Sequence, residues 1–122
     1  MACAFHIDVA DAGDRTSVVS VRGELDLASA PQLKWTLVDL AAAGRDRLVI
    51  DLTQLDFIDS TALGVLVSAR RSAGPEAAMA IASTRPVVLH ILEVTGLDAS
   101  FDIFPTVATA LAFVARMPAA AH

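Results

Sequence analysis

The sequence contains one cysteine, Cys3, one lysine, Lys34, and no tyrosine. A single cysteine rules out an internal disulfide and a Cys-based zinc site, and Cys3 stands in no motif that would activate a thiol. Aromatic residues are 5% of the chain, too few for a base-stacking platform. Fourteen acids against nine Lys and Arg leave a formal charge of -5, which disfavours nucleic-acid binding, because phosphate contacts need a basic face. No uncharged apolar run approaches the roughly 18–20 residues of a membrane span. The longest, Ala62–Ala69 and Pro105–Ala115, suit buried elements. Met1–His6 carries no basic region and Asp8 follows at once, so the expected compartment is the cytoplasm. No glycine-rich run ends in Lys-Ser or Lys-Thr, and no Gly-x-Ser-x-Gly surrounds a serine. His6, His90 and His122 fall on a strand, in mid-helix and at the terminus, with no partner set that would make any of them a base. We therefore expect no catalytic residue, no metal and no cofactor.

What is present is core-forming material. Of the 122 residues, 55% are hydrophobic and 19% charged, a balance that excludes disorder and supports one domain with its own core. The expectation is a single domain over residues 1–122, with its core at about 5–117 and a tail over 118–122.

Phe5, Ile7 and Val9 alternate with polar residues, the period of a half-buried strand. A turn at Asp11–Asp14 and a second strand at Val18–Val21, ending at Gly23, predict an antiparallel hairpin. Ser29, Pro31 and Gln32 open a helix, with Ser29 and Gln32 spaced as a capping box. Leu33, Leu37, Leu40 and Ala41 form its apolar stripe, and Gly44 ends it. Leu48-Val49-Ile50 reads as a central strand covered on both faces. Asp51–Asp59 reads as a connection. A helix over Ser60–Arg71 follows, then a strand over Met79–Ala82 and a helix from Pro86 to Gly96. A short strand at Phe101–Phe104 precedes a last helix, capped by Thr106 and running to Met117. This order predicts an α/β fold with a mixed, mostly parallel sheet, an antiparallel N-terminal strand and about four helices. Val49, Ile50, Leu63, Leu66, Ile81, Ile91 and Leu111 are expected in the core.

The densest polar cluster is Asp51, Asp56, Asp59, Ser60 and Thr61, after the central strand. Ligands of open α/β sheets sit outside the carboxyl ends of the strands, and Asp26, in Gly23-Glu24-Leu25-Asp26, can share that rim. Taken alone, Asp59 or Ser60 is an ordinary N-cap and the other acids are solvated turn residues. A magnesium site for phosphoryl transfer to aspartate fits poorly. The chain opens with a hairpin, and its one lysine stands in the first helix. Ser60 and Thr61 suit the acceptance of a phosphate from another protein. They lie in the first turn of a helix, where free amides and the helix dipole favour an anion. Such a phosphate adds about -1.5 to -2 charges beside Asp56 and Asp59.

Leu55-Asp56-Phe57-Ile58-Asp59-Ser60-Thr61-Ala62-Leu63-Gly64-Val65-Leu66 resembles the signature of anti-sigma-factor antagonists, small STAS-domain proteins of bacteria. Gly23–Asp26 resembles their first loop, and Thr95–Asp98 with Phe101 the end of their third helix. The likeness runs from about Phe5 to Met117. It implies a STAS fold and binding to an anti-sigma factor that is also a serine/threonine kinase, with release of a sigma factor. It further implies phosphorylation at the start of the second helix and resetting by a protein phosphatase. The usual acceptor is the second residue after the aspartate, here Thr61, with Ser60 as the fallback. Asp26, Asp59, Ser60, Thr61, Ala62 and Leu63 are then the partner-binding residues. Thr61 stands where serine is usual, and Ala62 where glycine is common. The alternative is a STAS subunit that docks, unphosphorylated, onto the ATPase of an ABC-type lipid transporter.

Overall fold

The computed structural model describes residues 5–74, 77–99 and 101–116. Strands β1 (Phe5–Asp11) and β2 (Thr16–Leu25) form the expected hairpin, followed by α1 (Ala30–Ala42) and β3 (Arg47–Asp51). Then come β4 (Leu55–Ile58), α2 (Ser60–Ala73), β5 (Ala78–Ala82), α3 (Pro86–Val94), β6 (Asp102–Phe104) and α4 (Val107–Arg116). The sheet order is β1-β2-β3-β5-β6, with only the β1–β2 pair antiparallel. This is the mixed α/β architecture the element pattern predicts.

One strand was not legible in the pattern. Residues 55–58, expected within a connection, form β4, parallel to the end of β2. Leu55 and Ile58 are buried while Asp56 and Phe57 between them are exposed. That in-out-out-in order lacks the strict alternation by which a strand is recognised. The long β2 makes room for it: Thr16–Ser20 pair with β3, and Gly23–Leu25 pair with β4 on the same edge. The register shifts between Gly23 and Glu24, where Gly23 takes φ 90°, a conformation that suits glycine at a bulge.

The inner strands divide their side chains between two cores. Val19 and Val21, Leu48 and Ile50, and Met79 and Ile81 face one core, shared with Leu33 and Leu37 of α1, Leu63 and Leu66 of α2, and Val88 and Leu92 of α3. Their neighbours Val18, Val49, Ala78, Ala80 and Ala82 face the other, shared with Ala110 and Val114 of α4. So α1–α3 cover one face and α4 the other, and the central strand is covered on both sides as expected. Alanine at every α4-facing position of β5 lets the helix backbone come close. Of the residues expected in the core, Ile91 and Leu111 are half-buried, packing on the edges of the two clusters. The chain end expected as a tail lies outside the described residues, as does Met117.

The β1–β2 turn is pinned by Arg45, whose guanidinium donates to the Ser17 hydroxyl at 3.0 Å, to the Thr16 carbonyl and to Asp11 at 2.7 Å. The Gly13 amide also donates to Asp11, at 2.9 Å. That amide first, and Arg45 second, hold the Asp11 carboxyl below its ordinary value.

Two outcomes are expected. Ala80→Leu should cost about 1–3 kcal/mol in urea unfolding, because a larger side chain at a fully buried site under α4 overpacks that core. The Asp11 contribution has a defined sign. Because folding lowers its pKa, the stabilisation is present above the ordinary value of 3.8 and is lost as pH falls through the lower folded-state value. Asp11→Asn should therefore show a shallower loss of stability between about pH 4 and 2 in acid titration followed by circular dichroism.

Candidate docking site at the start of the second helix

The β2–α1 turn and the start of α2 meet at the carboxyl ends of β2 and β4, and one residue joins them. Asp59 lies between β4 and α2 in extended conformation (φ -109°, ψ 177°) and caps the helix, its Oδ1 accepting from the Ala62 amide at 2.9 Å. Its Oδ2 accepts from the Leu27 amide at 3.0 Å, across to the other loop. The Asp59 amide in turn donates to the Leu25 carbonyl at 3.2 Å. Both carboxylate oxygens thus satisfy backbone donors, and the half-buried side chain works as a tie between segments.

The turn that receives this tie is stiffened from within. Asp26 Oδ1 accepts from the amides of Ala28 at 3.0 Å and Ser29 at 3.1 Å. The buried Ser29 hydroxyl accepts from the Asp26 amide at 2.9 Å and donates to the Glu24 carbonyl at 2.9 Å. This corrects the capping box expected at Ser29 and Gln32. Ser29 has a helical backbone (φ -97°, ψ -18°) and makes no side-chain cap, because its hydroxyl is used on the turn that precedes the helix.

The structure brings Asp26, Asp59, Ser60 and Thr61 to one rim. Ser60 and Thr61 are exposed at the first turn of α2, and among the described residues neither hydroxyl is tied up in a hydrogen bond. Ala62 and Leu63, expected at the partner surface, are 0% and 3% exposed. Helical periodicity turns them toward the sheet, so they support the rim from below and present almost no side chain on it. The other acids of the cluster are scaffolding. Asp51 accepts from the Thr53 amide and hydroxyl and from Ser20, and Asp56 pairs with Arg85 at 3.3 Å. Among the described residues no three His, Cys, Asp or Glu converge as metal ligands.

Sequence reasoning missed Leu27. The second strand is expected to end at Gly23, with Gly23–Asp26 as a loop and no role for Leu27. The strand instead ends at Leu25, and Leu27 stands 70% exposed beside Asp26. The signal available was the Asp-x-x-Ser spacing of Asp26 and Ser29, which favours a turn over a strand.

Residues 9–110 match the STAS domain family. This chain belongs to that family. Its relatives are anti-sigma factor antagonists. It is 30% identical over 95 residues to the anti-sigma-F factor antagonist RsfB of Mycobacterium tuberculosis, which covers 78% of each chain. It is 34% identical over 86 residues to the anti-sigma-B factor antagonist of Bacillus subtilis, covering 70% of this chain and 78% of that one. Among solved structures, an anti-sigma factor antagonist from Mycobacterium paratuberculosis superposes with a TM-score of 0.85 at 33% identity, over 92% of this chain and 95% of that one. The antagonist SpoIIAA in its unphosphorylated form shares the fold at 19% identity, with a TM-score of 0.79 over 90% of this chain and 96% of that one.

The Asp59 tie is open to a direct test. Asp59→Ala should cost about 1–2 kcal/mol in urea unfolding, the upper part of the range for a lost N-cap, because the Leu27 amide loses its acceptor as well. Hydrogen exchange should quicken at both Leu27 and Ala62. Exchange that quickens at Ala62 alone would show that the two segments are not tied through this carboxylate.

Proposed function

We propose that this STAS domain is a cytoplasmic anti-sigma factor antagonist that acts by binding and has no catalytic centre of its own. It docks onto an anti-sigma factor with serine/threonine kinase activity through Asp26, Leu27 and the first turn of α2, and thereby frees a sigma factor. Phosphorylation of Thr61 by that partner ends the association, and a protein phosphatase restores it. The observation that carries this reading is the Thr61 hydroxyl, exposed and unengaged on a helix start that Asp59 clamps to the neighbouring turn.

A kinase substrate on a folded domain needs an accessible hydroxyl, and a switch that leaves the fold intact needs that hydroxyl on a braced element. Thr61 meets both conditions. A phosphate there faces the positive end of α2, which offsets part of its charge. It also adds about -1.5 to -2 charges to a rim already holding Asp26 and Asp59, and fills space the partner needs. Ala62, which replaces a common glycine of the family, is compatible with this use because its methyl lies in the core. SpoIIAA, which shares the fold at 18–19% identity, has been solved in phosphorylated and unphosphorylated forms.

The experiment is incubation with a candidate anti-sigma factor kinase and ATP, followed by site mapping and calorimetry. Thr61→Ala should bind that partner within about threefold of wild type and stay unmodified. Thr61→Glu and Asp26→Arg should each weaken binding by at least about tenfold, the latter because like charge meets like on a basic partner face. The two Thr61 variants should unfold within about 1 kcal/mol of wild type, since exposed side chains carry little stability. Asp26→Arg also removes the acceptor for the Ala28 and Ser29 amides and should cost about 1–3 kcal/mol, so its binding is measured where the variant is folded. Phosphate on Ser60 would move the acceptor by one residue and keep the switch. An unmodified protein whose Thr61→Glu variant binds as tightly as wild type would remove the switch, and docking onto a transporter ATPase would take its place.

A further inference from the structure

One concavity of the molecule lies mostly outside this reading and shares only Thr61 with it. It is a groove of about 830 Å³ between α1 and α2, along the helix pair from Thr61 to Ala73, a length of about 18 Å at the helical rise. Val38 and Ala41 of α1 form one wall, Val65 and Ala69 of α2 the other, and Leu48 and Met79 of the sheet lie on its floor. The volume is that of a site for a small organic molecule, and so is the mixture of apolar walls with a few polar groups.

Its charge is opposite to that of the chain. The charged residues of the lining are Arg15, Lys34, Arg45 and one acid, Asp46, in a protein of net charge -5. At the lower end Arg15 is taken up by Asp46, and Arg45 by Asp11. At the upper end Lys34 makes no ion pair among the described residues. Its ammonium lies 5.4 Å from the ring centre of Trp35. The uncommitted charge of the groove is therefore a cation at one end of an apolar trough. Val38 of the lining is 44% exposed, and Trp35, 59% exposed, lies next to Lys34 outside the lining.

We propose that this groove binds an amphipathic organic anion, a medium- to long-chain carboxylate, with its chain along the α1–α2 trough and its acid group on Lys34. Charge decides among occupants. A neutral apolar ligand leaves Lys34 unused, and a cationic one meets Lys34, the lining charge with no ion pair among the described residues. The inference does not require the anti-sigma reading: Thr61 lies at the mouth of the groove, but the binding rests on α1, α2 and the sheet floor and needs no modification of Thr61.

The test is titration of the full-length chain with sodium decanoate and laurate below their micelle concentrations. Trp35, the one tryptophan, serves as fluorescence reporter, and amide NMR shifts serve as the map. Both acids should shift Trp35 emission saturably and move amides of α1, α2, Leu48 and Met79. Butyrate should do neither, and decanol should bind at least about fivefold more weakly for want of the charge. Lys34→Glu should weaken laurate by about tenfold or more. Gly64→Leu supplies the steric arm. A Cβ at Gly64 meets nothing within 4 Å, and Gly64 lines the trough, so a larger side chain there starts out into open space on the trough side. It should abolish binding while leaving the melting temperature equal or higher, as replacement of a mid-helix glycine predicts. The proposal is overturned if laurate produces no saturable shift, or if Lys34→Glu and Gly64→Leu bind as wild type does. Amide shifts outside the groove overturn it too, and so does a groove that responds only to protein concentration, which would make it an interface between copies of this chain.

Discussion

The surface proposed for docking depends on one carboxylate. Asp59 accepts one amide from its own helix and one from a loop 32 residues earlier, so the first turn of α2 and the Asp26 turn keep a fixed relation. Charge-assisted bonds of this kind are about twice as strong as neutral ones, and both oxygens are used. The consequence is preorganisation. A partner that grips Asp26, Leu27 and Thr61 together does not have to order them first, and ordering costs roughly 0.5–1.5 kcal/mol for each immobilised side chain. The same economy explains why the neighbouring acids are spoken for: Asp51 holds the β3–β4 turn and Asp56 holds Arg85, which leaves the rim free of stray carboxylates.

The fold was legible wherever a periodic pattern had room to develop. The period-2 run in β1, the apolar Leu48–Ile50 run of β3 and the helical spacing in α2 are each distinct enough to name their own element. β5 could be read as a short buried strand for the same reason. What the pattern could not show was β4, four residues long, whose burial depends on pairing with the far end of β2. That pairing is tertiary, and local sequence does not encode the partner. The misread cap at Ser29 has a similar origin. The spacing to Gln32 fits a capping box, but Asp26 lies equally close on the other side, and its turn captures the hydroxyl.

For the site, residue identity was more informative than residue contact. The Asp59-Ser60-Thr61 run and Asp26 could be picked out from the chain, since polar residues clustered after a buried strand stand out from their surroundings. Which of them face outward could not. Ala62 and Leu63 follow Thr61 directly, and only the helical phase set by the Asp59 cap sends them inward. Leu27 is the opposite case, an apolar residue left outside because the turn ends the strand two residues before it. An exposed leucine on a stiff turn is apolar surface that a docking partner would remove from water.

The two faces of α2 then divide its work. Its inner face, with Leu63 and Leu66, locks the helix to the sheet, and its first turn leaves the Ser60 and Thr61 side chains exposed. Its flank, from Thr61 past Gly64 and Val65 to Ala69, is built from small side chains and forms one wall of the trough against α1. Small residues weaken helix–helix contact there, and the cost falls on a helix already held by its cap and its inner face. Thr61 belongs to both surfaces, at the rim of the docking site and at the mouth of the trough. A group that settles on Lys34 therefore shares its surroundings with whatever approaches the Thr61 hydroxyl. Because binding free energies are reciprocal, any ligand that crowds that hydroxyl must be displaced by the partner to the same extent that it displaces the partner.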